Sequence, residues 1–304
     1  MVIEDMMKTL NVLTLLMTLL ILSGCGTKME PVDPMVLVET EMAFASFTGE
    51  SGMRDGFTMY AADVGIMFAP GAVNVKEFYA DREDAQALLT WEPSFAEISA
   101  AGDLGYTTGP WEYRSDPEAG PPDVSGHYIT LWKLQPDSSF RFLIDIGVAH
   151  DPHDTVAPVL TLKEPVPVSA LGSINLDQIR EELAGVELTF SEQSAADGTT
   201  AAYVKRAADD IRFYRAGQMP LKGVEAVTGA LTAIEGVWSW VPAMVGVSDS
   251  GDLGYAYGVS TLAADESVQE FSYVRFWRRD DTGHWSLALD IHIPLPPAQE
   301  ETKG

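Results

Sequence analysis

Residues 91–109, WEPSFAEISAAGDLGYTTG, return at residues 240–258 as WVPAMVGVSDSGDLGYAYG, and nine of the 19 positions are identical at a constant offset of 149. Self-similarity of this length marks a tandem duplication, and the repeated unit is a whole domain rather than a solenoid repeat. Each copy reads as two strands joined at a Gly-Asp turn, Gly102-Asp103 and Gly251-Asp252. Aspartate in such a turn commonly satisfies nearby backbone, so Asp103 and Asp252 are assigned to structure.

Working outward, Glu41-x-x-Phe44 is answered by Glu187-x-x-Phe190, Phe57 by Tyr203, Asp63 by Asp209 and Phe68 by Tyr214, all at an offset of 146. Beyond the hairpin the offset falls to 145, because residues 259–272 are four fewer than residues 110–127. Tyr128, Trp132, Phe140 and Asp145 then match Tyr273, Trp277, Trp285 and Asp290. Length changes confined to a loop are what a duplication tolerates.

The pattern predicts helices from Met35, over Asp55 to Ala62 and over Asp81 to Leu89. It predicts short strands at Ile66 to Phe68 and Val73 to Phe78, then long ones at Trp91 to Ala100, Leu104 to Tyr113, Tyr128 to Leu134 and Phe140 to Val148. That order is α+β, with helices on one face of a curved sheet. The expected divisions are a leader at 1–24, a tether at 25–34, a first domain at 35–150, a linker at 151–174, a second domain at 175–297 and a polar tail at 298–304.

The 45 acidic residues outnumber the 19 basic ones, for a net charge of −26. Such a surface repels nucleic acid and leaves cationic or neutral ligands open. The apolar run from Leu10 to Leu22, closed by Ser23-Gly24-Cys25, has the length of a signal-peptide core rather than of a bilayer span. Leu22-Ser23-Gly24-Cys25 resembles the lipobox of bacterial lipoproteins, which implies lipidation of Cys25, the sole cysteine, and a protein held on a membrane of the cell envelope, facing away from the cytoplasm. An uncleaved anchor is the other reading of the same run.

The paired motifs resemble the nuclear transport factor 2-like superfamily, in its SnoaL-like bacterial branch. The features are Glu41 and Phe44 with Glu187 and Phe190, Asp63 with Asp209, the Gly-Asp-Leu-Gly-Tyr hairpins, and the last-strand Asp145 with Asp290. The resemblance implies two cone-shaped domains, each a curved, mostly antiparallel sheet around N-terminal helices with a pocket at its open end, paired within one chain. The superfamily includes isomerases, dehydratases, cyclases, epoxide hydrolases and non-enzymatic binders, so fold alone does not select an activity.

Pocket candidates are Asp63, Trp91, Tyr106, Asp145, Asp209, Trp240, Tyr255 and Asp290. In the second copy Asp290 and His292, two residues apart on one strand, point the same way and suit proton transfer, with Tyr255 as a donor. The first copy has Gly147 where His292 stands. Strand alternation places Asp145 on a face with Arg141 and Leu143, and Asp290 and His292 opposite the apolar row Trp285, Leu287, Leu289, Ile291, facing a domain interface or solvent if that row is the core. His150-Asp151-Pro152-His153-Asp154 has a metal-ligand composition but reads as a solvated hinge. No phosphate loop, nucleophile elbow, His-Glu-x-x-His or paired-cysteine motif occurs, so neither metal nor cofactor is expected. The reading is an envelope lipoprotein that binds a small apolar ligand or a protein partner, with a cofactor-independent lyase, isomerase or hydrolase as the alternative.

Overall fold

The computed structural model describes residues 32–118, 120–151, 159–165, 175–265 and 267–297. The leader, Cys25, His153, Asp154 and residues 298–304 lie outside them. Helix α1 (Met35–Ser51) buries Leu37, Val38, Glu41, Phe44 and Thr48, one stripe at helical spacing. Gly52, at φ +90°, separates it from α2 (Met53–Tyr60). Strand β1 (Ala61–Phe68) turns into β2 (Ala72–Asn74) and then α3 (Val75–Tyr79). After these come β3 (Leu88–Trp91), β4 (Phe95–Ile98), β5 (Leu104–Arg114), β6 (Val124–Leu134), β7 (Phe140–His150) and β8 (Thr161–Lys163), in the sheet order β2-β1-β7-β6-β5-β4-β8 with β3 also on β5.

The second half has α4 (Leu176–Asp197), α5 (Thr199–Arg206), β9 (Ala207–Arg215), β10 (Leu221–Lys222), α6 (Val224–Thr232), β11 (Val237–Val247), β12 (Leu253–Ala264), β13 (Ser267–Arg279) and β14 (Trp285–Pro294). Its sheet runs β10-β9-β14-β13-β12-β11. The chain is thus α+β, two tandem cone-shaped domains in which a curved, mostly antiparallel sheet wraps N-terminal helices. The small-residue face of the hairpin strand is what lets the helix approach. A Cβ at Gly105 would lie 2.5 Å from Leu37 Cδ1, and one at Gly254 would lie 2.4 Å from Leu183 Cδ2.

Two local expectations are corrected. Val75 to Phe78 is helical, because the Asn74 side chain accepts from Glu77 N at 3.1 Å and caps a turn there. No helix spans Asp81 to Leu89; Leu88–Trp91 is instead a strand paired through Trp91 to Trp111, a tertiary partner that outweighs the acidic start. The stretch expected as linker contributes β8, which adds to β4 in parallel through Phe95 and Thr161.

The outer faces of the two sheets share one core. Tyr106, Ile129, Leu131, Ile144, Ile146 and Val148 meet Tyr255, Val274, Phe276, Leu289, Ile291 and Ile293. Tyr106 stacks on Phe276 at 4.3 Å between ring centres. At the hairpin turns the contact is reciprocal. Asp103 accepts from Asp249 N at 3.0 Å while Asp252 accepts from Ala100 N at 2.9 Å. Residue i touching j while j's equivalent touches i's is the signature of an isologous interface, here inside one chain.

A bulge in each last strand sorts its side chains. Phe276 pairs with Leu289 but Trp277 with Leu287, leaving Ala288 as the extra residue, and Leu143 has that place in the first domain. The expected single apolar row is therefore split. Trp285 and Leu287 face the cone, whereas Leu289 and Ile291 face the other sheet. Asp145, Asp290 and His292 consequently point into the cones rather than at the interface or solvent.

Candidate functional site

In the first cone, Phe44, Phe57, Leu89, Trp91, Trp111 and Tyr113, with Val124, Tyr128, Asp145 and Gly147, line a cavity of about 360 Å³. Its size and apolar walls are those of a small-molecule site. Trp111 forms one wall because glycines lie beneath it: a Cβ at Gly126 would come within 2.7 Å of the indole, and one at Gly147 within 3.2 Å. Asp145, partly accessible from the cavity, accepts from Thr130 Oγ1 at 2.9 Å and forms no ion pair among the described residues. Burial, reinforced by the nearby Glu41 charge, pushes its carboxyl up to about 7.

Behind Asp145, the fully buried Glu41 accepts from Trp91 Nε1 at 2.6 Å, Trp132 Nε1 at 3.0 Å and Thr107 Oγ1 at 2.5 Å. Burial raises Glu41 to about 6 against the lowering effect of those donors. The buried hydroxyl of Tyr128 has no hydrogen-bond partner among the described residues. Burial and the charges of Glu41 and Asp145 push it well above its ordinary value, so it stays protonated and can donate.

The second cone carries the same framework with its space filled. Asp290 is fully buried, 2.6 Å from Arg275 Nε and 2.7 Å from Arg215 Nη1, and accepts from Tyr203 Oη at 2.8 Å. Desolvation alone would raise its carboxyl, but His292, Arg215 and Arg275 together hold it well below the usual carboxylate range. His292 is itself pushed down to about 3 by burial and by Arg215, so it is neutral at neutral pH and the guanidiniums balance the charge. It accepts from Trp240 Nε1 at 3.2 Å and packs 4.8 Å from Trp238. The Asp290–His292 contact of 3.1 Å exists, yet a carboxylate locked between two arginines beside a neutral imidazole is a poor acid or base.

The sequence candidates separate accordingly. Trp91 and Asp145 meet in the first cavity. Tyr255 lies in the sheet-to-sheet core with Tyr106, on the opposite face of its sheet from Asp290, and so is no donor to it. Tyr106 donates to Glu97 at 2.6 Å, and Glu97 binds Arg278 across the interface at 2.7 Å. Trp240 is a core residue of the second cone. Asp63 and Asp209 sit outside the cones, Asp63 in a surface ion pair with Lys76 at 2.6 Å and Asp209 at a shallow depression beside Lys222. Asp63 also edges an open cleft of about 1040 Å³ whose cations are Arg54, paired with Asp55, Lys76, paired with Asp63, and Arg141, which donates to Met59 O. Size alone favours that cleft, but a predominantly apolar, aromatic lining favours the smaller cavity.

Sequence reading passed over Glu41 as a site residue, and Tyr128, Thr130 and Arg275 too. The signal was present in the offset of 145, which sets Thr130 against Arg275. His127 and His150 meet at 2.8 Å, but no cluster of three or more His, Cys, Asp or Glu suited to a metal occurs among the described residues. Nor is any described helix long and apolar enough to cross a membrane.

No family model matches the chain, and no curated protein matches it. Solved structures do. It is similar to a nuclear transport factor 2-like protein of unknown function from Shewanella oneidensis, at 12% identity, covering 37% of this chain and 96% of that one with a TM-score of 0.32. A second protein of that description, from Pseudomonas putida, is 21% identical over 42% of this chain and 93% of its own, with a TM-score of 0.33. A ketosteroid isomerase-like protein from Erwinia carotovora is 18% identical over 40% and 96%, with a TM-score of 0.31.

Proposed function

We propose that the chain is an envelope lipoprotein, anchored through Cys25, whose first cone binds a small, largely apolar molecule and whose second cone is a filled structural counterpart. The observation that carries this is the cavity of about 360 Å³, walled by aromatic side chains and lined by Asp145, which has no ion-pair partner among the described residues. Native mass spectrometry of the chain from residue 26 onward tests it. A bound mass lost on denaturation, and absent when Gly147→Phe drives a ring into the cavity, is expected. A wild-type chain that carries no ligand and takes up no apolar dye overturns it.

Catalysis is the second reading, and the observation favouring it is the Asp145 carboxyl near 7, suited to accepting and returning a proton at neutral pH. Cofactor-independent lyase, isomerase or hydrolase chemistry then belongs to Asp145 and Tyr128 rather than to Asp290, His292 and Tyr255. Turnover that is abolished by Asp145→Asn and retained in His292→Gln separates this reading from simple binding.

A further inference from the structure

The second cone shows what its framework is built to hold. The guanidinium carbon of Arg275 lies 4.3 Å from the Phe190 ring centre, 4.1 Å from Trp240 and 5.2 Å from Tyr273. Its Nε lies 2.6 Å from Asp290. Aromatic faces around a cation closed by a carboxylate form a cation cage, in which ring quadrupoles and the ion pair act together.

The sequence offsets place Phe44, Trp91, Tyr128 and Asp145 at the four positions that surround Arg275, and all four line the first cavity. Arg275 itself is answered by Thr130, too short to reach the cage centre. Arg215 is answered by Ala69 and His292 by Gly147, and no Lys, Arg or His is among the described residues that line the cavity. The cage walls are kept, its acidic end is kept, and the cation is missing. We propose that the ligand of the first cone is an organic cation, an ammonium or guanidinium on an apolar body, seated where the second cone carries the side chain of Arg275.

This rests on the first cone being the ligand site, and it explains features that a neutral ligand leaves unexplained. A neutral apolar guest does not account for a carboxylate in an aromatic cavity that has a hydrogen bond from Thr130 but no ion-pair partner among the described residues, where desolvation opposes its charge. A cationic guest completes the pair and favours the ionised form of Asp145. The net charge of −26 draws such a guest toward the surface.

Calorimetric titration of the intact chain with benzylguanidinium and with its uncharged isostere benzylurea tests the inference. Binding of benzylguanidinium is expected to be ~10-fold or more tighter than that of benzylurea, with the preference lost in Asp145→Asn. Thr130→Arg, which supplies the guanidinium from within the chain, is expected to abolish binding of both probes while the circular dichroism of the fold is unchanged. Benzylurea binding as tightly as benzylguanidinium overturns the cation while leaving the cavity a ligand site. Wild-type affinity in Thr130→Arg places the seat elsewhere and overturns it too. If neither probe binds the wild-type chain, the inference falls, and the dye and mass measurements above decide the cavity. N-acetylarginine methylamide as a third probe distinguishes the sources of the cation: tighter binding than benzylguanidinium assigns it to a polypeptide side chain, weaker binding to a free small molecule.

Discussion

The two cones share a framework and differ in what fills it. Each has a first-helix glutamate beneath a tryptophan, Glu41 under Trp132 and Glu187 under Trp277, and each has a last-strand aspartate turned inward by a bulge. In the second, Arg275, Arg215, Tyr203, His292 and Trp238 occupy the space that Thr130, Ala69, Phe57, Gly147 and Leu89 leave open in the first. The same carboxylate is thereby held far below its ordinary pKa in one cone and raised to about 7 in the other. Burial does not decide what a carboxylate can do; the charge beside it does.

The heaviest blow to this contrast is the removal of Arg275. Arg275→Met leaves Glu187 and Asp290 buried with only Arg215 to offset two negative charges, and breaking such a network costs about 3–5 kcal/mol. Urea unfolding should show the midpoint falling accordingly. An unchanged midpoint would mean that the arginine is dispensable filling, and the second cone would lose its value as a template for the first.

Next in size is an isosteric pair whose effects have opposite signs. Asp145 has a folded pKa of about 7 against roughly 3.9 in an unfolded chain. As pH rises from about 4 to about 7 the unfolded chain releases a proton that the folded chain keeps, so this group lowers stability across that window. Asp145→Asn should therefore be more stable than wild type at pH 8, by on the order of 1–3 kcal/mol once water in the cavity is allowed for, and equal to it at pH 3. Asp290 is depressed, so its contribution is present above roughly pH 4 and lost as pH falls through its folded pKa. Asp290→Asn should accordingly be less stable than wild type at pH 7, with the gap narrowing in acid. Stability curves with the same sign for both variants would erase the distinction between the cones.

The hairpins, the α+β order and the paired motifs were legible because they rest on local periodicity and on self-comparison, which need no tertiary information. The face of Asp145 and Asp290 was not, because a bulge at Leu143 and Ala288 inverts simple alternation and leaves no mark in the sequence. Gly147 was read as the absence of a proton-transfer partner, whereas in three dimensions its missing side chain makes room for Trp111 and the cavity. Tyr106 and Tyr255 sat in a motif conspicuous enough to suggest a site, yet a strand has two faces, and theirs belongs to the packing between sheets.

That packing sets up a finer comparison. Asp103 and Asp252 make mirrored contacts across the turns, but Asp103 also pairs with Lys133, whereas among the described residues the Asp252 side chain accepts from Ser248, Ser250 and Ala100 N and pairs with no cation. Either alanine variant should cost about 1–2 kcal/mol in thermal unfolding, with Asp103→Ala the larger because it also removes one of the two carboxylates, Asp103 and Asp249, that hold the Lys133 ammonium. Equal losses would show that the lysine adds nothing to the capping.

The smallest expected effect concerns Asp63 and Asp209, the exterior pair. The Asp63 side chain is 95% exposed and its partner Lys76 is 40% exposed, so water already solvates most of the interaction. Asp63→Asn and Asp209→Asn should each leave the thermal unfolding midpoint and the ligand affinity essentially unchanged. The measurement has a sharper use than confirming a small number. Asp63 edges the open cleft of about 1040 Å³, which has the volume but not the apolar lining of a small-molecule site. If Asp63→Asn weakened binding while Asp145→Asn did not, the ligand would lie in that cleft, and the difference between an empty and a filled cone would concern stability alone.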